Sequence, residues 1–128
     1  NTADVCVNPD VANEMNDKST MNKIMEYMAL GKPIVQFDLT EGRYSAGEAS
    51  LYAVKNDAED LARKIVELLD DPERRARMGA IGQQRVQNEL AWQYEVPNLL
   101  RAYDEVMSDA HARGKWWRRF GRNRSRAG

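Results

Sequence analysis

Ser19-Thr-Met-Asn-Lys-Ile-Met-Glu-Tyr-Met-Ala-Leu-Gly31 runs directly into Lys32-Pro-Ile-Val-Gln-Phe-Asp38, and this pairing of one helix with one strand decides the fold. Met21, Ile24, Met25 and Met28 recur at i, i+3, i+4 and i+7, the apolar stripe of a core-facing helix. Ser19 or Thr20 is the expected cap, whose hydroxyl satisfies an amide with no acceptor inside the helix. Gly31 is placed for the left-handed residue after the last turn, and Pro33 forbids continuation. Asn22 and Glu26 sit four apart and share a line on the polar side. Free amides at a helix start favour an anion. Glu26 lies seven residues beyond Ser19, about 10 Å along the axis, and its side chain leans back toward the N-terminus. An anionic group at the start and a hydroxylated group further along are therefore within joint reach, as a nucleotide's phosphate and ribose require.

Upstream, Ala3-Asp-Val-Cys-Val-Asn-Pro9 contains a short apolar run ended by proline, and its alternating valines predict a strand over 4–8. Residues 9–18 hold a proline, two asparagines and two aspartates, and read as a loop into the helix cap. The ordered series of 3–9, 19–31 and 32–38 resembles the donor-binding domain of family 4 glycosyltransferases. The family pattern is a strand A-D-x-x-x-x-P, a helix L-x-E-A-M-A-x-G and a strand P-V-V-x-x-D. Here the helix reads Ile24-Met-Glu-Tyr-Met-Ala-Leu-Gly31, and Asp70-Asp-Pro-Glu-Arg-Arg75, Met78-Gly79 and Trp92 are similar to the family's C-terminal end. The likeness covers residues 3–107.

That resemblance implies a retaining enzyme of the two-Rossmann-domain GT-B architecture. Residues 1–112 would then form the second half of its C-terminal, donor-binding Rossmann domain. The expected fold is α/β: a partial parallel sheet of about three strands, flanked by helices, with C-terminal helices over 57–109. The donor implied is a nucleotide-diphosphate sugar, bound as substrate with no separate cofactor and no metal. Glu26 would accept from ribose hydroxyls, while Ser19, Thr20 and Asn22 meet the diphosphate and Lys18 neutralises its charge. The family commonly carries two glutamates with seven residues between them. The second corresponds to Glu26, but the first falls on Lys18, with Asp17 beside it. Another group would therefore take the sugar-contacting role here. The acceptor implied is a saccharide or a lipid-linked saccharide, as in polysaccharide biosynthesis. The remaining partner is the enzyme's own N-terminal portion, since the chain reads as a fragment of something longer.

In open α/β sheets, ligands sit at the carboxyl ends of the strands, so the loops after each strand matter. The stretch 39–47 carries two glycines and mixed polar groups and reads as such a loop. In it Arg43 and Tyr44 either touch phosphate or sugar or are simply solvated. A third strand is expected over 50–54. A helix follows over 57–69, with Leu61, Ile65, Leu68 and Leu69 on one face. Pro72 opens another helix where a missing N–H costs little, weakened at Gly79 and Gly82, both of which suit close helix packing. A last helix is expected over 92–109, with Val96, Leu99, Leu100, Tyr103 and Val106 as its stripe and Trp92 as a core or interdomain aromatic.

Composition bounds the rest. The 128 residues carry a net charge of −1, which gives no sign of a nucleic-acid partner, and the acidic body argues against a phosphate backbone. Residues 1–112 hold 12 Lys/Arg against 20 Asp/Glu, whereas 113–128 hold seven basic residues and no acid. One cysteine excludes an internal disulfide, and Cys6 lacks a basic neighbour in sequence that would activate it. No run of apolar residues is long enough for a spanning helix. The basic aromatic tail at 113–128 is expected to be disordered or interfacial, with Lys115, Trp116, Trp117, Arg118 and Arg119 as contacts to an anionic lipid surface. A cytoplasmic protein, peripheral to the inner face of the cell membrane, is the matching location. The rival expectation is a non-catalytic α/β module for protein interaction or membrane association.

Overall fold

The structure, a computed structural model of the chain, describes residues 2–121, with side chains through residue 108. It divides into two units, Asn1–Leu90 and a second from Ala91 onward. In the first unit the order is β1 (Cys6–Asn8), α1 (Glu14–Asp17), α2 (Asn22–Ala29), β2 (Ile34–Phe37), α3 (Thr40–Ala46), β3 (Ser50–Ala53), α4 (Ala58–Leu69) and α5 (Pro72–Arg85). A single 3-10 turn at Gly47–Ala49 precedes β3, and a π-type turn at Val86–Leu90 follows α5.

The three strands form one sheet in the order β1-β2-β3, parallel throughout. Every residue of β2 is buried, because β2 lies between two strands and carries helices on both faces. Alternation along the strand sends Val35 and Phe37 to one face and Ile34 and Gln36 to the other. The first face meets Leu61, Ile65 and Leu68 of α4 and Met78 of α5. The second meets Ile24 and Met28 of α2, with Ala46 and Ala49. This is a partial Rossmann-like layer, as the order of apolar segments predicts.

Helix ends follow the local chemistry where caps are local. Asp57 accepts the N–H groups of Glu59 and Asp60 at the start of α4, both at 3.0 Å. Asp71 accepts that of Arg74 at 2.9 Å, with Pro72 as the first residue of α5. Arg85 of α5 donates to the carbonyls of Ser45 and Tyr44, both at 3.0 Å. A cation thereby closes the C-terminus of α3, where the helix dipole is negative. Gly31 has φ +66, as its position after α2 predicts. Gly79 and Gly82 are close-packing points: a Cβ on Gly79 would stand 2.0 Å from the Gly31 carbonyl oxygen.

Three expectations for this unit are corrected. The stretch 39–47 is not a loop but contains α3. Residues 9–18 include the single helical turn α1. The helix expected from Ser19 begins at Asn22, with Met21 at the cap position and no side-chain cap. Ser19 instead donates to the Met15 carbonyl at 2.6 Å, closing α1.

The second unit is helix α6, Trp92–Gly121, which runs past the end expected at 109 and holds Pro97 in its second turn. Trp92 is 66% exposed, so it is not a core residue of this chain, and Leu99, Leu100, Tyr103 and Val106 are also exposed. Lys115, Trp116, Trp117, Arg118 and Arg119 have side chains outside the described residues.

Candidate functional site

Parallel pairing brings the carboxyl ends of all three strands to one edge of the sheet. Three segments converge there: 9–21 after β1, 38–41 after β2 and 54–57 after β3. The helix α2 starts from the first of them. Its opening amides, on Asn22 and Lys23, have no acceptor among the described residues. The first amide bonded near the start is that of Ile24, on the Met21 carbonyl at 3.0 Å. Asn22 and Glu26 are both exposed and share the outer side of α2. Neither side chain has a hydrogen bond or ion pair among the described residues. Ile24 and Met28 hold the opposite side in the core, which fixes the direction Glu26 faces.

Lys18 lies on the solvent side, 2.7 Å from Glu14, with 72% of its side chain exposed. A pair so exposed is worth little and parts readily, leaving the ammonium free to meet an anion. Thr20 donates its hydroxyl to Glu41 at 3.0 Å. Lys23 meets Asp10 at 2.7 Å, tying α2 to the beginning of its own loop.

Arg43 stands in the first turn of α3, not in a loop. Its Nε donates to Asp38 at 2.8 Å, and its guanidinium lies 4.2 Å from the centre of the Tyr52 ring. The Arg43 hydrogen bond holds the Asp38 carboxyl below the ordinary carboxylate range, and the same bond raises Arg43. Burial pushes the Tyr52 hydroxyl up to about 12, so it stays a neutral donor, to the Gly47 carbonyl at 2.6 Å. Tyr44 is 69% exposed and is not part of this cluster. Cys6 is partly buried, and burial pushes its thiol up, away from the reactive thiolate.

Two groups at this edge escape a reading of the sequence alone. Asp17 accepts the Thr40 N–H on Oδ1 at 3.0 Å and the Thr40 hydroxyl on Oδ2 at 2.8 Å. Lys55 reaches the same Oδ1 at 3.3 Å. The Thr40 backbone bond is the main reason the Asp17 carboxyl titrates below its ordinary value. Asn56, left-handed at φ 62, holds Ala12 by both its N–H (2.7 Å) and its carbonyl (3.2 Å). Ala12, Asn13, Glu14, Asp17 and Lys55 border an open cavity of about 220 Å³. Among the described residues no group of three His, Cys, Asp or Glu side chains is arranged for a metal ion. No helix among them is long and apolar enough to cross a membrane.

Compared with known proteins, residues 1–71 match the family model described as glycosyl transferases group 1. That span takes in the whole sheet, α1 to α3 and α4. No curated protein and no solved structure matches.

Proposed function

The chain belongs to the group 1 glycosyl transferases, and from that membership we propose that it supplies the nucleotide-sugar side of a retaining, GT-B type sugar transfer. The observation that carries this reading is Glu26: an exposed carboxylate without a partner among the described residues, one turn beyond a helix start whose amides are open. A nucleoside diphosphate fits that pairing. Its phosphates meet the amides of Asn22 and Lys23, where the positive end of α2 favours an anion. Its ribose hydroxyls donate to Glu26. Lys18 leaves Glu14 to meet phosphate charge, and Ser19 and Thr20 border the same group. Arg43 adds a cation at the sheet edge.

In the transfer, the bond between the sugar's anomeric carbon and the diphosphate oxygen breaks with its electron pair going to the diphosphate. The acceptor hydroxyl oxygen bonds to that carbon on the same face, and its proton leaves with the diphosphate. The amides and cations act where negative charge grows, which lowers the barrier electrostatically. In this reading the acceptor is a saccharide or a lipid-linked saccharide. A cytoplasmic enzyme at the inner membrane face suits a lipid-linked acceptor.

The test is Glu26→Gln in the intact natural protein. It keeps shape but removes a charge-assisted hydrogen bond worth about 1.5–3 kcal/mol, or roughly ten- to a hundredfold in the donor's kcat/KM. Unchanged donor kinetics would take Glu26 out of the site. Loss of all nucleotide binding by the natural protein itself would favour a non-catalytic interaction module.

A further inference from the structure

The loop that launches α2 is braced within itself by Asn16 on Asn13 and Val11 and by the Asp10–Lys23 ion pair. Between β1 and α2 the only regular structure is the one turn of α1, and α2 has no side-chain cap. Ser19, the natural candidate, bonds back to Met15 instead. The place of the open helix start against the other strand ends is set by the bonds that leave the loop. One fastening is Ala12 on Asn56. A second is Thr20 on Glu41, and a third is Asp17, which lies only five residues before Asn22, so a displacement there reaches the helix start with little slack.

Asp17 uses both carboxylate oxygens. They take the N–H and the hydroxyl of Thr40, the first residue of α3, and Oδ1 also meets Lys55 beyond β3. Thr20 adds a bond to Glu41 one residue further along α3. Asp17 thus caps α3 from 23 residues upstream and joins the segments after all three strands. Because its oxygens are taken, Asp17 is not free to hold a sugar, although it neighbours the position where the family pattern has a glutamate.

We infer that Asp17 is a positioning residue for donor binding: its clamp on Thr40 and Lys55 fixes the loop from which the open N-terminus of α2 departs. This rests on the donor-site reading of α2 and Glu26. The effect acts through geometry, since small displacements of a preorganised site are costly. It is therefore read in ligand affinity of the folded protein rather than in stability alone.

The experiment uses the intact natural protein and its Asp17→Ala, Asp17→Asn, Thr40→Val and Glu26→Gln variants. Each is titrated calorimetrically with UDP, GDP and ADP, and circular dichroism checks that each is folded. Asp17→Ala is expected to raise the Kd of the preferred diphosphate about five- to twentyfold. Asp17→Asn, whose amide oxygen still accepts the Thr40 N–H, should recover part of that loss. Thr40→Val, which removes only the hydroxyl, should lose less than Asp17→Ala. If Asp17→Ala does not fold, Asp17→Asn and Thr40→Val carry the test. Natural Kd values in every folded clamp variant, alongside a weakened Glu26→Gln, overturn the positioning role alone. Natural values in all variants, Glu26→Gln included, overturn the donor-site reading and this inference with it.

Discussion

Gly79→Ala is expected to loosen the seam that seats α2, and its size follows from one distance. A Cβ at Gly79 would lie 2.0 Å from the Gly31 carbonyl oxygen and 2.8 Å from the Gly31 carbonyl carbon. An ordinary close carbon-to-oxygen approach is about 3.3 Å, so the two segments must part by about 1.3 Å. The obstacle is backbone and cannot rotate away, and Gly31 is itself held at φ +66. Overpacking of this kind costs about 1–3 kcal/mol or more. The gain in helix propensity on replacing glycine returns about 1 kcal/mol. Because the obstacle is backbone, the cost sits at the top of that range, and the net loss expected is about 2 kcal/mol. Gly82→Ala, three residues along the same helix, is the matched control. Its Cβ would meet Ala49 at 3.0 Å and the Met28 side chain at 3.1 Å, and methionine adapts. There the propensity gain and the crowding nearly cancel, within about 1 kcal/mol. Urea unfolding of the natural protein and both variants, at a common m-value, reads the difference as a shift of midpoint. Gly79→Ala costing no more than Gly82→Ala would refute the close-approach argument.

Three further outcomes follow from polar groups in and beside the sheet. The Asp17 and Asp38 carboxyls both titrate below their ordinary range, through Thr40 and Arg43 respectively. Their contribution is therefore present above the unfolded value, about 4, and is lost as pH falls through the lower folded values. The double variant Asp17→Asn/Asp38→Asn should show a flatter fall of Tm below about pH 4, and an unchanged slope would refute this. Gln36 is fully buried and donates Nε2 to the Gly42 carbonyl at 3.3 Å and to Ser50 Oγ at 3.1 Å. Gln36→Met should therefore cost about 1–3 kcal/mol. Asn8 is also buried, and neither end of its amide has a partner among the described residues. Asn8→Leu should stay within about 1 kcal/mol of the natural protein, and equal costs at the two sites in urea titrations would contradict this contrast.

The sequence made the sheet and the helices with local caps legible, since their signals lie within a few residues. Gly31 with Pro33 ends α2, Asp57 starts α4, and Asp71 with Pro72 starts α5. The apolar stripe of α2 also left Glu26 on the outer side, where the structure has it. Helix α3 was not legible because its first N–H is satisfied by Asp17, far upstream, while Gly42 and Gly47 look locally like loop residues. Gly42 is a helix residue packed under Gln36: a Cβ there would lie 2.6 Å from Gln36 Oε1. Ser19 and Thr20 carried a valid capping signal, but the Met15 carbonyl and Glu41 compete for them. Position 21 is left as the cap of α2, without a polar side chain. Trp92 shows the limit of reading an aromatic as core, because its burial depends on what lies around it rather than on its own chemistry.

The clamp itself could not be read from spacing, because it depends on strand direction. Asp17, Thr40 and Lys55 each follow a different strand, and they meet only if all three strands end on the same edge. In a strand like β3, four residues long, reversal of direction would carry Lys55 to the opposite edge, about 13 Å away at 3.3 Å per residue. The register does the rest. Asn8 pairs with Gln36 and Gln36 with Tyr52, so the last polar positions of the strands lie in one row across the sheet. Their loops leave from nearly one level. From that common level, short excursions bring a carboxylate, a helix N-terminus and a lysine within hydrogen-bonding distance. Because the crevice edge is bolted together from three separate loops, a substitution at Asp17 acts on all three at once. One at Glu26 touches only the ligand. The two kinds of variant should therefore separate in stability as well as in affinity: Glu26→Gln leaves the unfolding midpoint where it is, and Asp17→Ala lowers it.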